Sequence, residues 1–585
     1  MRVLVLLLCL WQVSGIYSDL DWWRTANVYQ IYPRSYKDSD GDGTGDLNGI
    51  TERLPYLKSL GIHAIWLSPI FVSPMKDFGY DIANFEDIDP IFGNMQDLEN
   101  LVKIAHELGI KVLLDFVPNH SSDQHQWFID SANNVDEFKD YYMWHPGKTD
   151  PDNAEKKIPP NNWLSAFRGS AWQWNEARGE FYLHQFAAGQ PDLNYRNPKV
   201  VDAMKNVLRF WLQKGVDGFR VDAVPHLFEV PQENGAYPDE PPSGNTDDKE
   251  DHAYLKHIYT MDLPETVQMV YQWREVLDEF TKEDGNTRLM LTEAYSDINI
   301  LMSYYGDGKK NGSQVPFNFY LIMHLNNDSN ALDFNENIRI WLDNLPAGCE
   351  ANWVLGNHDQ RRIGSRFGTH RIDGINMILN TLPGISITYQ GEEIGMTDVF
   401  LTWEETVDPA GCNAGKDKYD LFSRDPARTP FQWDDSTSAG FSTNPKTWLP
   451  VSPLYKDVNV GKERSAQRSH LKVYKQLLRL RTTQTLKRGS IETKTEGENV
   501  LIITRRLPGF DTFFTIVNIG SEREAVDVRG LFSGRLTVEI ASVASERQSG
   551  ETLRSPTLWL EPHEALIIRG SAGASYSVYL MNNEV

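Results

Sequence analysis

Residues 112 to 120 read VLLDFVPNH, a short apolar run that ends in Asn119 and His120. Runs of this length, bounded by Gly, Pro or Asn, are typical of buried parallel β-strands. Similar runs recur through the first two thirds of the chain, at residues 64–67, 218–221, 289–291, 353–355 and 385–389. The recurrence predicts a largely buried parallel sheet.

Between these runs lie stretches of helical period, such as residues 98–108 and 200–213. Alternating strands and helices predict an α/β fold built as a TIM (β/α)8 barrel, which needs roughly 250 residues or more. A polar region rich in Pro and Asn follows His120 and predicts a subdomain inserted after the third strand. Short alternating strands without helices begin near residue 497 and predict a C-terminal antiparallel β domain. The predicted domains are a barrel over 20–120 and 191–490, an inserted subdomain over 121–190 and a β domain over 491–571.

The first 15 residues have the order of a signal peptide. Arg2 precedes an apolar run from Val3 to Trp11, and the small residues Ser14 and Gly15 follow. No later stretch approaches the roughly 20 apolar residues of a membrane-spanning helix, and residues 572–585 lack a lipid-anchor signal. We therefore expect a secreted, extracellular protein without a membrane span.

The chain is acidic, with 57 Lys and Arg against 81 Asp and Glu and a formal net charge of -24. This balance disfavours nucleic acid or an anionic membrane as the partner. Aromatic residues make up 11% of the chain, which suits flat ligands such as small neutral sugars and fits a large core equally well.

Two features depend on an extracellular location. Cys9 falls in the predicted signal peptide, so Cys349 and Cys412 remain, either as one disulfide or as two separate buried thiols. The glycosylation motif Asn-x-Ser/Thr occurs at Asn311 and Asn327 in polar stretches, where we expect glycans. A third motif at Asn119 ends a predicted strand and is interpreted as accidental.

Polar side chains follow four of the predicted strands at the point where each strand ends. They are Asn119 with His120, Arg220 with Asp222, Glu293, and His358 with Asp359. Any one of these acids has a structural explanation as a helix cap or ion-pair partner. Active sites of such barrels lie where the carboxyl ends of the strands meet, so we expect the acids to converge. Glycoside hydrolysis needs two carboxyl groups beside the scissile bond, and Asp222 and Glu293 fit those roles.

These four segments resemble the signature regions of family 13 glycoside hydrolases, the α-amylase superfamily. Residues 190–195 (QPDLNY), 389–396 (YQGEEIGM), 28–35 (VYQIYPRS) and 424–433 (RDPARTPFQW) resemble the α-glucosidase and oligo-1,6-glucosidase branch, in particular insect maltases. The resemblance covers nearly the whole chain after the predicted signal peptide.

The resemblance implies a retaining mechanism, with Asp222 as nucleophile, Glu293 as general acid and then base, and Asp359 stabilising the transition state. Arg220 is expected to hold Asp222 ionised, while Glu293 needs a raised pKa. The resemblance also implies a set of residues around the terminal glucose: Tyr80, Asp81, His120, His358 and Arg424. Arg428 lies four residues after Arg424 and is an alternative to it.

Oxygen-bearing side chains alternate along one acidic loop, at Asp38, Asp40, Asp42, Thr44 and Asp46. The spacing is that of the first half of an EF-hand loop, although Gly49 replaces the usual Glu at the twelfth position. The resemblance implies one structural calcium or magnesium ion here and no organic cofactor. A solvated acidic turn is the alternative.

The expected activity is exo-hydrolysis of terminal α-1,4-linked glucose from maltose, short malto-oligosaccharides and sucrose. In the family that the sequence resembles, enzymes that prefer α-1,4 linkages tend to have Ala or Thr directly after the nucleophile. In this chain that position is Ala223. One alternative is a binding protein that uses the barrel as a scaffold for carbohydrate or toxin, as related receptors and transporter heavy subunits do. A transglycosylase such as a sucrose isomerase would keep the same catalytic residues, so the sequence leaves that alternative open.

Overall fold

The computed structural model describes residues 20–528 and 534–571. The predicted signal peptide and the tail from residue 572 lie outside this part of the chain. Eight parallel strands form the central sheet: β1 (Asn27–Ile31), β2 (Ala64–Leu67), β3 (Lys111–Phe116), β4 (Gly218–Val221), β5 (Leu289–Thr292), β6 (Val315–Pro316), β7 (Asn352–Trp353) and β8 (Ile385–Tyr389). They pair in the order β6-β5-β4-β3-β2-β1-β8-β7, which leaves only β6 and β7 without a backbone ladder between them.

The side chain of Asn352 bridges the remaining gap between β6 and β7. Its amide nitrogen donates to the carbonyl oxygen of Pro316 at 2.6 Å, and its amide oxygen accepts from the N–H of Asn318 at 2.8 Å. Pro316 has no N–H to offer a ladder, so one buried carboxamide takes the place of backbone pairing and the sheet closes into a barrel.

Eight helices follow the strands: α1 (Leu47–Leu60), α2 (Met95–Glu107), α3 (Pro198–Gln213), α4 (Pro264–Asp284), α5 (Ile298–Ser303), α6 (Ala331–Asn344), α7 (Ile372–Thr381) and α8 (His470–Leu480). Asn94 caps α2 by accepting from the N–H of Asp97, whose side chain accepts from the N–H of Asn94 in return. Shorter helices cover Gln126–Ala132, Tyr320–His324, Ile363–Phe367, Pro409–Ala414, Tyr419–Phe422, Val460–Ser465 and Gln484–Arg488. Among the described residues, no helix combines the length and apolar character needed to cross a membrane.

Strand side chains alternate between two apolar cores. Val28, Trp66 and Leu113 point into the barrel and pack there with residues from the other strands. Tyr29 and Ile65 point outwards and pack in a second core beneath the helices. This alternation fixes the strand register, so the polar residues after each strand all emerge at the carboxyl end of the barrel.

The segment between β3 and α3 contains a three-stranded antiparallel sheet of Trp144–His145, Glu180–Leu183 and Trp172–Asn175. A hairpin of Lys148–Asp150 and Asn153–Ile158 extends from it. Trp163 and Trp172 of this segment pack in a small aromatic core together with Tyr237, which lies in the loop after β4.

The C-terminal sheet is antiparallel. Its strands are β9 (Ser490–Glu496), β10 (Val500–Arg506), β11 (Thr512–Asn518), β12 (Leu536–Ala541) and β13 (Ala565–Gly570), and a two-stranded sheet of Glu524–Asp527 and Thr557–Leu560 packs beside it. The predicted barrel with an inserted segment and a C-terminal β domain is thereby confirmed.

Cys349 and Cys412 are free thiols, so the disulfide that the sequence left open does not form. Cys349 lies shortly before β7, at the amino end of the barrel. Cys412 lies in the helix Pro409–Ala414, beside Thr406 and the carboxyl-end loops. The two residues occupy opposite ends of the barrel, too far apart for the 4.4–6.8 Å between Cα atoms that a disulfide requires.

Candidate active site

A cavity of about 240 Å³ opens at the carboxyl end of the barrel. Its lining includes the predicted catalytic acids Asp222, Glu293 and Asp359. Four of the predicted sugar-binding residues also line it: Tyr80, His120, His358 and Arg424. Asp77, which was not predicted, lines it as well. The expected convergence of the strand ends is therefore what the fold produces.

Arg220, on β4, connects three carboxylates at the base of this cavity. Its guanidinium donates to Asp115 at 2.9 Å, contacts Glu293 at 3.1 Å and forms a short hydrogen bond to Asp222. Arg220 is 2% exposed, so its charge is little screened by water. One cation thus stands between Asp222 and Glu293 and fixes both carboxyl groups in the same site.

The pKa values of both acids are raised. Burial raises the pKa of Glu293 to about 7, and the negative charges of Asp222 and Asp359 add to this against the opposing charge of Arg220. Burial also raises the pKa of Asp222 to about 7, with Asp115 and Asp359 contributing and Arg220 opposing. Arg220 acts in the expected direction and lowers the pKa of Asp222, but its single charge is shared among three buried carboxyl groups.

Ala223, directly after Asp222, has a left-handed backbone conformation with φ of 48°. In that conformation its N–H donates to Glu293 at 2.8 Å. A β-branched side chain is strained at positive φ, so a small residue here is compatible with the backbone that orients Glu293.

The carboxylate of Asp359 lies beside two arginines and the ring of His358, which is neutral because burial lowers its pKa well below the usual value. Arg428 and Arg424 contact its carboxylate at 2.9 and 3.2 Å, and His358 lies 3.3 Å from it. Burial would raise the pKa of Asp359, but His358 and the two arginines outweigh it and hold the pKa well below its usual range. Asp359 is therefore ionised at neutral pH.

Arg424 and Arg428 have different positions. Arg424 lines the cavity, whereas Arg428 is fully buried behind Asp359 and donates to the carbonyl oxygen of His358 at 2.8 Å. Of the two candidates, Arg424 is the one that reaches the cavity.

A hydrogen-bonded chain joins β1 to β3 beneath the cavity. The amide nitrogen of Gln30 lies 2.8 Å from Nδ1 of His358, and Nε2 of His358 lies 2.7 Å from the Tyr80 hydroxyl. Tyr80 in turn donates to Asp115 at 3.0 Å, and its ring stacks on His358 with 5.3 Å between centroids. This series of hydrogen bonds fixes the orientation of the Tyr80 and His358 rings, which line the cavity.

Asp81 is not at the cavity, which corrects the prediction. It is fully buried, and its carboxylate accepts from the Ser73 hydroxyl and from the N–H groups of Lys76 and Asp77. Asp77 lines the cavity instead and forms an ion pair with Arg424 at 2.7 Å. Asp77 and Asp81 lie at the two ends of the segment 77–81. The turn within this segment directs Asp77, and not Asp81, towards the cavity.

The inserted segment supplies the outer wall. His120, after β3, lies 3.1 Å from the Tyr80 carbonyl oxygen, and burial lowers its pKa to about 3, so it is neutral at physiological pH. Phe186 packs against its ring, and Phe167 packs over the guanidinium of Arg424 at 4.7 Å. Residues 228–242 pack on the inserted segment, where the Pro238 carbonyl oxygen accepts from Trp163 at 3.0 Å.

Tyr295 was missed by the sequence analysis. It follows Glu293 by two residues and lines the cavity. Asn357 and Gln360 donate to its hydroxyl oxygen at 3.3 and 3.4 Å, and the oxygen of the Asn357 amide is held by the N–H of Asp359 at 2.9 Å. The Tyr295 oxygen thus acts as an acceptor, and its own hydrogen remains to be donated.

The acidic loop brings part of its predicted ligand set together. One carboxylate oxygen from each of Asp38, Asp40 and Asp42 lies within 4.8 Å of the other two. Asp46 is directed elsewhere, because its carboxylate accepts from Ser39 and from the N–H of Gly49 at the start of α1. Thr44 contributes its N–H to Asp42 at 2.6 Å.

The three glycosylation motifs differ in exposure. Asn311 and Asn327 are exposed, whereas Asn119 is buried and donates to Asp192 at 3.2 Å.

The family model described as the α-amylase catalytic domain matches residues 30–489. Maltase A1 of Drosophila melanogaster is 49% identical over 95% of this chain and 97% of its own length. The salivary α-glucosidase of Aedes aegypti is 52% identical over 89% and 90%. Among solved structures, the trehalulose synthase MutB of Pseudomonas mesoacidophila superposes with a TM-score of 0.82 at 31% identity, covering 94% of this chain and all of that one.

Proposed function

The chain belongs to the α-amylase family, and from this premise we propose that it is an exo-acting, retaining α-glucosidase. The observation that carries the proposal is the pair of buried carboxyl groups, Asp222 and Glu293, held by one guanidinium at the base of the cavity. The maltase and salivary α-glucosidase names of its relatives support the same activity.

In the first step, a carboxylate oxygen of Asp222 attacks the anomeric carbon while Glu293 gives its proton to the departing glycosidic oxygen. The raised pKa of Glu293 keeps that proton available near neutral pH. The positive charge that develops on the sugar ring is stabilised by Asp359, which is ionised. The products of this step are a glucosyl ester of Asp222 and the released alcohol.

In the second step, Glu293 accepts a proton from water, whose oxygen attacks the anomeric carbon and displaces Asp222. Arg220 contacts both acids, so it compensates negative charge as each carboxyl group ionises in turn. Two displacements restore the original configuration, and the product is α-glucose.

The terminal glucose is held by Asp77 and Arg424, with His120, His358 and the ring of Tyr80 completing the pocket. The ion pair of Asp77 and Arg424, together with Phe167, closes one end of the cavity. A closed end admits the terminus of a chain but not its middle, which supports exo-action. In this proposal Asp81 supports the turn that carries Asp77.

We assign maltose, short malto-oligosaccharides and sucrose as substrates. The small side chain of Ala223 leaves room beside the leaving group, which supports α-1,4 over α-1,6 linkages. One or two methyl groups are worth about 1–3 kcal/mol in such discrimination.

The acidic loop fits one calcium or magnesium ion. Three carboxylates within 4.8 Å offer the hard oxygen donors that these cations prefer. Burial and the neighbouring carboxylates of Asp40 and Asp38 raise the pKa of Asp42, which a bound cation would reverse. The ion would hold Asp38, Asp40 and Asp42 and stabilise the loop that precedes α1, with no part in the reaction.

We further propose that the protein is secreted and carries glycans at Asn311 and Asn327, whose exposure supports modification. The salivary relative supports an extracellular location.

The proposal is tested by incubating the purified protein with maltose, sucrose, isomaltose and soluble starch and measuring glucose release. We expect rapid release from maltose and sucrose, slower release from isomaltose and little from starch. Comparable rates on starch and maltose would contradict exo-action, and no release from any substrate would favour the binding-scaffold alternative.

A further inference from the structure

Basic residues are concentrated in one part of an otherwise acidic chain. Residues 456–488 contain Lys or Arg at ten positions and Asp or Glu at two, Asp457 and Glu463. The whole chain has 57 Lys and Arg residues and 81 Asp and Glu residues. The segment therefore has the opposite charge to the rest of the molecule, and its field is local.

Most of these basic side chains lie on the surface around α8. Lys472, Lys475 and Arg479 follow one another at intervals of three and four residues, so they share one face of the helix. Lys475 and Arg479 are exposed and Lys472 is half-buried. Arg464 and Arg468, which precede the helix, are exposed as well. Arg481, at the end of this helix, is buried and donates to backbone carbonyl oxygens of α7 and the following loop.

Two grooves run along this face and share Lys472. The first lies between α1 and α8 and is lined by Arg464, Lys472 and Lys475. The second lies between α8 and the C-terminal sheet and is lined by Arg468, Lys472 and Arg547. No carboxylate lines either groove within the part of the chain that the structure describes. The two grooves share Lys472, and we name the basic surface that they form on either side of it the α8 track.

The charge of the α8 track is largely uncompensated. Over residues 20–528 and 534–571, no carboxylate oxygen comes within 4 Å of Arg464, Arg468, Lys472 or Lys475. Arg468 donates to the carbonyl oxygens of Ser542 and Ser545, and Lys472 to that of Ala466. These neutral acceptors hold the side chains in place without cancelling their charge. Arg547 is the exception, since Glu551 contacts it at 2.8 Å.

We propose that the α8 track is a docking surface for a sulfated, linear polysaccharide. Regularly spaced anionic groups on an extended chain match cations set along two grooves that share Lys472. A lipid surface fits less well, because interfacial helices insert large apolar side chains. The exposed large apolar residues of the described chain include Phe400, Leu421 and Leu454, but none between residues 455 and 488.

Docking here would leave the active site free. The α8 track lies against α1 and the C-terminal sheet, while the catalytic cavity is built by the carboxyl-end loops, and the two share no lining residue. The inference is therefore independent of the proposed reaction, and its consequence is retention of the enzyme on an acidic extracellular matrix.

The test compares two triple variants with the same change in charge. The first, Arg464→Glu with Lys472→Glu and Lys475→Glu, reverses the charge of the α8 track. The control, Lys148→Glu with Lys156→Glu and Lys157→Glu, reverses three exposed lysines of the inserted hairpin. Binding of the full chain to immobilised heparin is measured at several salt concentrations, with maltose hydrolysis as a check that each variant is folded.

We expect the unmodified chain to bind heparin with an affinity that falls steeply with salt. The track variant should lose about 100-fold or more in affinity, and the control should lose much less. Soluble dextran, a neutral polysaccharide, should not elute the protein. The inference is overturned by failure of the unmodified chain to bind, by equal losses in both variants, by elution with dextran, or by tighter binding to phosphatidylserine vesicles than to heparin.

Discussion

At the residue scale, the site depends on how a few charged groups are shared. Arg220 serves three carboxylates, and Arg424 contacts Asp77, Asp408 and Asp359. Each guanidinium is almost enclosed by protein, where an unpaired charge costs several kcal/mol. Removing one partner from such a group therefore changes the protonation and position of the others.

The roles of Asp77 and Asp81 are separable by substitution. Asp77→Asn removes the charge that pairs with Arg424 at the ligand, so kcat/KM for maltose should fall by about 10- to 100-fold. Asp81→Asn should lower thermal stability, because Asp81 accepts three hydrogen bonds inside the fold, with a smaller effect on kcat/KM. The reverse pattern would restore Asp81 as the ligand contact.

Tyr295 is predicted to distinguish sugar leaving groups from aryl ones. Its hydroxyl accepts from Asn357 and Gln360, which leaves its hydrogen free to donate to a leaving-group oxygen. In Tyr295→Phe, kcat/KM for maltose should fall by about 3- to 10-fold, while 4-nitrophenyl α-glucoside, which offers no sugar hydroxyl there, should be little affected. Equal losses on both substrates would indicate a packing role.

The alkaline limb of the pH profile is predicted to report Glu293. Because Glu293 must carry a proton and its pKa is raised to about 7, kcat/KM for maltose should fall as the pH rises through that value. On the acid side, activity should fall as Asp222 becomes protonated. Glu293→Gln has no proton to lose, so with α-glucosyl fluoride, which needs no acid to leave, its kcat/KM should show no alkaline limb. Persistence of that limb would assign it to another group.

At the scale of elements, sequence patterns located long or strongly apolar strands and missed weak ones. The runs at 64–67, 218–221 and 385–389 coincide with β2, β4 and β8. β6 is two residues long and contains Pro316, so it has no periodicity to detect, and its junction with β7 depends on one side chain, Asn352. The acidic loop shows the same limit, because spacing alone cannot show that Asp46 is directed to the N-terminus of α1.

The acidic loop is predicted to bind calcium with a measurable gain in stability. At a hundredfold excess over Kd, a ligand that binds only the folded state adds about 2.7 kcal/mol to the free energy of unfolding. Calcium should therefore raise Tm, and Asp40→Asn, which removes an exposed carboxylate of the cluster, should abolish the rise. Asp136→Asn, which changes an exposed acid elsewhere, is the control, and an equal loss there would argue against a specific site.

At the scale of the whole molecule, the barrel brings together side chains that are far apart in sequence. Asp222 and Glu293 were predictable because each directly follows a buried strand, and parallel strands end at one edge. Asp77 and Tyr295 lie on turns whose direction no periodicity encodes, and the shared charge of Arg220 depends on three separate strands. The fold and the convergence of these acids were thus accessible from sequence, whereas the choice of residues that face the cavity and the pKa values required the three-dimensional arrangement.

In the proposed mechanism Asp222 forms a covalent bond to glucose during the reaction. The most direct measurement uses the Glu293→Gln variant with α-glucosyl fluoride, followed by digestion and mass spectrometry. Fluoride leaves without a proton, and the variant lacks the base that would activate water, so the intermediate should accumulate. We predict one added glucosyl group on the peptide that contains Asp222. An unmodified peptide, or the glucosyl group on Asp359 or another residue, would contradict it.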